Sequence, residues 1–333
     1  MGFFISNHVS QPALVPRGQY EWLLEALSQP GCDQILRSSA NAVSLAGLAN
    51  STKNPTIMAK ARAAYGSALR MTNSALSVKE RAVKDSTLMS VIMLGLYENI
   101  SFQDKQSTHA WYKHVQGASA LLVLRGTEQF ESNVARRIFH HFYGITMLCS
   151  LESGEAVPDG MRDLYEFCNP TSDYAVQGRQ WTTRMSLFMQ DSIDLNRDKD
   201  SDPVTMVTKA ISLDRELDSI KAIIPKVWQY ETVRLERPSD YAFGSFYHIY
   251  MDPWIAQIPT CMYHLSWPLY AAGSSDLSSS EMRQYAIDML YFVALRIGTR
   301  QAVVLAEALK EMQRSSPPQS IPEELAFNGS FEA

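Results

Sequence analysis

The chain has 333 residues, of which 46% are hydrophobic and 20% are charged. This composition excludes wholesale disorder and is enough for one large domain or two small ones. The formal net charge is −5, and no run of five or more Lys and Arg residues occurs. We therefore expect no direct sequence-specific DNA binding, because contacts to phosphates need concentrated positive charge. The longest apolar run, residues 88–97, is about half of what a membrane-spanning helix needs, so we expect no membrane association.

Helical periodicity dominates the first half of the chain. Apolar and small residues at three- and four-residue spacings predict a helix over Pro55–Leu76. A second helix is predicted to begin at a cap formed by Asp85 and Ser86. It is apolar on most faces, which predicts that it is the most buried element of the domain. Further helices are predicted over residues 108–124, before a glycine, and over residues 132–151.

The second half is predicted to be helical with long interruptions. The pattern favours helices over residues 174–195 and 204–224. Residues 228–245 are polar and irregular, which indicates a connecting loop. Three prolines within residues 246–272 predict short kinked helices, because proline cannot occupy the interior of a straight one. A last long helix is predicted over residues 280–314.

The fold class predicted from these elements is all-α, an irregular multi-helix domain. No alternating strand run, hairpin dipeptide or internal repeat stands out. We divide the chain into an N-terminal lead-in over residues 1–30, a helical domain over residues 31–314 and a flexible tail over residues 315–333.

The candidate metal ligands are three aspartates near the end of one predicted helix. Asp191, Asp194 and Asp198 are offset by three and seven residues, which places their carboxylates on one helical face. Such a face can hold Mg²⁺ and a substrate diphosphate, as in terpene cyclases. The pattern runs into a charged turn and lacks a second metal motif, so we favour a solvated surface. The four cysteines are dispersed and no HExxH motif occurs. We therefore predict no catalytic residues, no bound metal and no cofactor.

Several segments together resemble the regulatory domain of fungal zinc-cluster transcription factors. The clearest pair is KDSTLMSVIMLGLYENI (84–100) followed by WYKHVQGASALLVLRG (111–126). The segments YGSALRMTNSAL (65–76), ARRIFHHFYG (135–144) and AVPDGMRDLYEF (156–167) stand in the same order as in that family. Later segments, among them FGSFYHIYMDPWIA and YHLSWPLYAAG, extend the resemblance over about residues 31–312.

Two departures from the family pattern change what the resemblance implies. The six-cysteine zinc cluster that normally precedes the domain cannot form from four dispersed cysteines. Only QIPTCMYHLS joins the DPWIA and WPLY segments, where the family usually has about two more helices. This apparent internal deletion predicts an exposed apolar patch, which partner binding, a homodimer formed through it or aggregation would cover. The alternative is that the final helix, over about residues 280–314, fills the gap and leaves a small closed core. The patch residues are Trp254, Met262, Tyr263, Trp267 and Tyr270.

The resemblance implies a transcriptional regulator without its own DNA-binding module. Regulation of a metabolic gene cluster is one expected role, through protein partners or a small apolar effector. The expected location is the nucleus, from the resemblance alone, or the cytoplasm. The alternative is a helical enzyme, such as a terpene-cyclase-like prenyl-diphosphate lyase, although we favour a protein that is not an enzyme. A degenerate relative without a function is a third interpretation.

Overall fold

The computed structural model confirms the all-α class. It describes residues 2–9, 20–101, 105–168, 179–224, 226, 229–234, 246–250, 266, 269–275 and 278–315. The helices are α1 Gly2–His8, α2 Glu21–Ser28, α3 Gln34–Thr52, α4 Pro55–Leu76, α5 Lys79–Ala82, α6 Asp85–Ile100, α7 Lys105–Arg125, α8 Asn133–Ser153, α9 Met161–Cys168, α10 Arg179–Arg197, α11 Pro203–Ala222, α12 Ser280–Ile297 and α13 Arg300–Ser315. A short 3-10 helix, Thr127–Glu131, joins α7 to α8. Five helices, α1, α2, α3, α5 and α9, lie where no helix was predicted.

The predicted cap of α6 is wrong. The residue that precedes this helix is Lys84, which makes no side-chain cap hydrogen bond. Asp85 lies inside the first turn, where its carboxylate forms an ion pair with Arg125. The Ser86 hydroxyl donates a hydrogen bond to the Asp33 carboxylate instead. The two polar residues therefore connect α6 to neighbouring helices, and a negative charge in the first turn also suits the helix dipole.

The predicted loop at residues 228–245 and the helix predicted from residue 246 are also wrong in part. Strand β1, Tyr230–Arg234, pairs antiparallel with strand β2, Phe246–Tyr250. Both segments are rich in aromatic and β-branched residues, which favour strands. Segments of five residues are too short for apolar spacing to distinguish a strand from a helix, and this explains the error. The kinked helices predicted over residues 251–265 lie outside the described residues, whereas residues 269–274 are helical.

The predicted last helix is divided into α12 and α13 by a glycine. Gly298 has φ 71°, and its N–H donates to the carbonyl of Ala294, which ends α12. This left-handed conformation is easily reached by glycine and is a common end of a helix. A continuous apolar pattern across residues 280–314 concealed the break.

Helix α6 lies at the centre of the main core, as its apolar faces predict. Thirteen of its 16 residues are buried, and Leu94 and Leu96 are each 1% exposed. At Gly95 a Cβ atom would come within 2.9 Å of the His114 Cβ atom. The glycine therefore allows α7 to pack unusually close to α6.

The segment predicted as a lead-in contributes to this main core. Phe4, Tyr20, Trp22 and Leu23 are all at most 4% exposed and belong to the same buried cluster as α6. The core thus includes side chains from both sides of the predicted boundary at residue 31. Most of the predicted tail lies beyond the described residues, which end at residue 315.

Helices α12 and α13 pack together around a second, smaller core. Its buried residues are Ala286, Ile287, Leu290, Val293, Ala302, Leu305, Ala306 and Leu309. Tyr270, from the predicted apolar patch, is partly buried against this small core. Trp254, Met262, Tyr263 and Trp267 lie outside the described residues. The patch and the homodimer therefore stay predictions.

The small core is attached to the main one at the turn between its helices. The Asn50 side-chain amide donates to the carbonyls of Ile100 (2.7 Å) and Gly298 (2.6 Å). A Cβ atom at Gly298 would lie 2.3 Å from the carbonyl oxygen of Gly47. One side-chain amide and two glycines thus bring α3, α6 and the α12–α13 turn together.

Candidate functional site

The three predicted aspartates line one cleft between α10 and α11. The cleft has a volume of about 430 Å³. Its lining residues are Asp191, Asp194, Leu195, Asp198, Lys209, Ser212 and Leu213. The structure therefore brings together the carboxylates that the i, i+3, i+7 pattern selected, and adds a lysine that the pattern did not include.

Asp198 is fully engaged by its surroundings. Its carboxylate accepts hydrogen bonds from Lys209 Nζ (2.6 Å), Ser201 Oγ (2.7 Å) and Ser201 N (2.9 Å). The backbone N–H of Asp200 donates to it at 3.2 Å. The hydrogen bond from Lys209, followed by those from Ser201, holds the pKa of Asp198 well below its usual range. Its carboxylate is therefore an anion that organises the turn between α10 and α11.

This arrangement is unfavourable for a cation. The Lys209 ammonium binds the Asp198 carboxylate and already supplies the opposing charge there. Within the described part of the chain, no group of three His, Cys, Asp or Glu side chains is arranged to hold a metal ion. Lys209 was missed because the sequence pattern considers one helix at a time. The short turn before Pro203 is the signal, since it returns α11 alongside α10.

A second cleft, which we call the N-terminal cleft, lies where α2, α3, α6 and the start of α8 meet. Its volume is about 240 Å³. Its lining residues are Glu25, Ala26, Gln29, Cys32, Asp33, Leu36, Asp85, Ser86, Met89, Ser132 and Val134. Leu36 and Met89 are each 2% exposed and form its apolar base. Four separate segments supply these residues, so no local sequence motif indicated the cleft.

Each carboxylate of the N-terminal cleft already has a partner. Asp33 caps α3 by accepting the N–H of Ile35 at 3.0 Å, and its other oxygen accepts the Ser86 hydroxyl at 3.0 Å. Asp85 pairs with Arg125, and Glu25 pairs with Arg137. Because two of these carboxylates are paired with arginines and Asp33 is hydrogen-bonded within the protein, the remaining interior of the cleft favours an apolar or neutral molecule.

The two partly buried histidines of α8 have structural surroundings. His140 Nε2 lies 3.4 Å from the Cys168 sulfur. Burial raises the pKa of the Cys168 thiol to about 11, so this thiol is neutral and a poor nucleophile at ordinary pH. His141 Nδ1 accepts hydrogen bonds from Tyr20 N and from Trp22 Nε1. Both histidines are hydrogen-bonded within the protein.

A family model described as the fungal specific transcription factor domain matches residues 16–242, which is more than half of the 333-residue chain. The chain belongs to this family. The matched part of this fungal transcription-factor domain contains α2 to α11 and β1, and therefore most of the main core and both clefts. The resemblance predicted for residues beyond 242 stays a prediction. No curated protein and no solved structure matches the chain.

Among the described residues, none of the helices combines the length and the apolar character needed to cross a bilayer.

Proposed function

We propose that this chain regulates transcription by binding a protein partner or a small apolar effector. We also propose that it does not itself recognise DNA bases. The family match over residues 16–242 supports the regulatory role. The net charge of −5 and the absence of a run of Lys and Arg residues support the absence of direct DNA recognition by this chain. We further propose that the regulated genes form a metabolic gene cluster and that the protein acts in the nucleus.

The N-terminal cleft supports the binding of a small apolar effector, one of the two kinds of ligand proposed. Ligand sites are usually concave, mostly apolar and supplied with a few polar groups at fixed positions. Leu36 and Met89 form such a base. The carboxylates of Glu25 and Asp85 beside it are paired with arginines, and that of Asp33 is hydrogen-bonded. At about 240 Å³ the cleft is below the usual range for a drug-sized ligand, so the effector would be small.

A reporter assay tests the regulatory role. The chain is fused to an unrelated DNA-binding module, and transcription from a promoter with that module's site is measured. We expect a several-fold change relative to the module alone. The same fusion carrying Leu94→Ala and Leu96→Ala, which removes two side chains from the centre of the main core, should return to the module's level. Equal output from the module and the wild-type fusion, at equal protein amounts, contradicts the proposal.

A thermal-shift screen with small apolar molecules tests the effector separately. A molecule that binds the folded state raises its melting temperature by mass action. The variant Ala26→Leu narrows the N-terminal cleft from one wall and serves as the matched control. We expect at least one stabilising molecule whose effect is lost in the variant. Stabilisation that is the same in both proteins would exclude this cleft as the effector site.

We also propose a homodimer formed through the apolar patch around residues 254–270. It rests on the shortened connection between the DPWIA and WPLY segments and on the partial exposure of Tyr270. Sedimentation velocity should give a mass near twice the 37.4 kDa of one chain at micromolar concentration. A single monomeric species across that range is the outcome that excludes the dimer.

The enzyme alternative gains no support from the α10–α11 cleft. A prenyl-diphosphate lyase would need its aspartates available to a metal ion. Asp198 is instead bound to Lys209 and Ser201.

A further inference from the structure

The His141 imidazole of α8 contacts residues 20–28, which we call the N-terminal segment. Tyr20, the residue before α2, donates its backbone N–H to Nδ1 of His141 at 3.4 Å. The Trp22 indole Nε1–H donates to the same nitrogen at 3.3 Å. The Tyr20 ring meets the imidazole edge to face, with ring centroids 4.7 Å apart. The same ring also contacts Phe4 of α1, with centroids 5.8 Å apart. His141, itself partly buried, is thus the acceptor that contacts the buried rings of Tyr20 and Trp22.

This geometry requires a neutral ring. A nitrogen that accepts two N–H groups carries no proton, so the neutral tautomer has its hydrogen on Nε2. Protonation would place a third N–H against the two donors, replacing two attractive contacts by repulsion. The Tyr20 backbone is in the left-handed region, with φ 58°, a conformation that costs free energy for a tyrosine. We attribute its retention to these contacts with His141.

The charged and titratable groups near His141 are engaged with other partners or do not titrate in the same pH range. Glu25 of α2 and Arg137 of α8 form an ion pair with each other across the same interface. His140 is adjacent on α8 and contacts Cys168. Burial raises the pKa of Tyr20 well above its ordinary value, so its phenol does not titrate in the range where histidine does.

We infer that His141 is a pH-sensitive latch that holds the N-terminal segment, residues 20–28, against α8. The docked state requires a neutral imidazole, and in the released state His141 can bind one more proton. Acidification within the range in which histidine titrates, about pH 5 to 8, therefore favours release. The proposal concerns a property beyond the regulatory role and does not depend on it.

Release has two structural consequences. Phe4 and Trp22, each 1% exposed in the docked state, would lose their cover, and so would the aromatic face of α8. Glu25 and Ala26 of α2 line the N-terminal cleft, so the same movement would remove one of its walls. Proton binding at His141 would thus change both an apolar surface and a ligand-sized cleft.

The indole resonance of Trp22 reports the latch directly. The chain has six tryptophans, and the spectrum of a ¹⁵N-tryptophan-labelled Trp22→Phe variant assigns the signal by its loss. Between pH 7.5 and 5.5 we expect the Trp22 Nε1–H signal of the wild type to move or broaden reversibly. His141→Gln keeps an acceptor that does not titrate, so its signal should stay constant. His140→Gln, the matched neighbour, should respond as the wild type does.

Hydrogen exchange of the wild type provides a readout that needs no variant. After correction for the intrinsic pH dependence of exchange, the opening equilibrium constant of residues 20–28 should increase as the pH is lowered. The increase should be at most about tenfold per pH unit, the limit for one coupled proton. Exchange in α6 should not follow this dependence. An unchanged Trp22 signal and unchanged opening in the wild type would overturn the proposal, as would a response that persists in His141→Gln.

Discussion

The main core and the small core of α12 and α13 are built in different ways. Helix α6 is apolar around its circumference and is covered by neighbours on all sides, with 13 of 16 residues buried. Helices α12 and α13 bury one face each against one another. Their contacts with α3 include hydrogen bonds from Asn50 and Ser51 and the close approach that the missing Cβ atom of Gly298 allows. The main core is thus stabilised chiefly by apolar area, and the docking of the small core depends on a few specific contacts.

The largest expected effect is in the main core. Replacing Leu94 or Leu96 by Ala removes a side chain that is 1% exposed and leaves a cavity, which costs about 2–5 kcal/mol of unfolding free energy. Urea denaturation followed by circular dichroism measures this loss. Leu124→Ala on α7, where the side chain is 54% exposed, should cost less than about 0.5 kcal/mol. A loss below that level at both Leu94 and Leu96 would mean that α6 is not central.

The next effect concerns the turn between α12 and α13. Gly298→Ala puts a side chain where φ is 71° and where its Cβ would lie 2.3 Å from the Gly47 carbonyl. Backbone strain alone costs about 1–3 kcal/mol, and the clash should separate the small core from α3. Hydrogen exchange should therefore increase over residues 280–315 far more than over α6. Gly117→Ala in α7, where a Cβ meets nothing within 4 Å, should leave exchange unchanged or slower.

A smaller loss is expected for Asn50→Ala. This change leaves the carbonyls of Ile100 and Gly298 without their shared donor, at a cost of about 1–3 kcal/mol. Asn50→Asp tests the mechanism, because a carboxylate of the same size cannot donate. Both variants should loosen residues 280–315, whereas Asn54→Ala, which removes the cap of α4, should leave that region as it is. Equal protection of α12 and α13 in wild type and Asn50→Ala would contradict the attachment described above.

The smallest effect is expected outside both cores. Lys209→Ala removes the ammonium that binds Asp198 at 2.6 Å, on an exposed surface. The pKa of Asp198 should rise toward its ordinary value of 3.8, which a carboxyl-carbon NMR titration measures. In the wild type, the hydrogen bonds to the ionised Asp198 carboxylate contribute to the unfolding free energy above about pH 3.8. This contribution is lost progressively as the pH falls below that value and the carboxylate is protonated. Arg162→Ala, which removes an exposed pair on α9, should leave the Asp198 titration unchanged.

The same contrast explains which features could be predicted from the sequence. The faces of α6 indicated a central helix because burial on all sides requires apolar residues at every spacing. The grouping of Asp191, Asp194 and Asp198 on one wall followed from helical periodicity alone. In contrast, the contact of Lys209 with Asp198 and the attachment by Asn50 join distant segments, and no local pattern encodes them. The break at Gly298 was hidden by the apolar residues on both sides of it.

Equilibrium binding to duplex DNA is the most direct test of the proposal that this chain acts in transcription without recognising DNA bases. Fluorescence anisotropy with a random-sequence duplex pool, followed by selection and sequencing of bound molecules, measures both affinity and selectivity. We predict weak binding at most, which disappears as salt is raised from 50 to 200 mM and enriches no sequence, because the chain carries a net charge of −5. A salt-resistant complex in the nanomolar range that enriches one sequence motif would contradict the proposal.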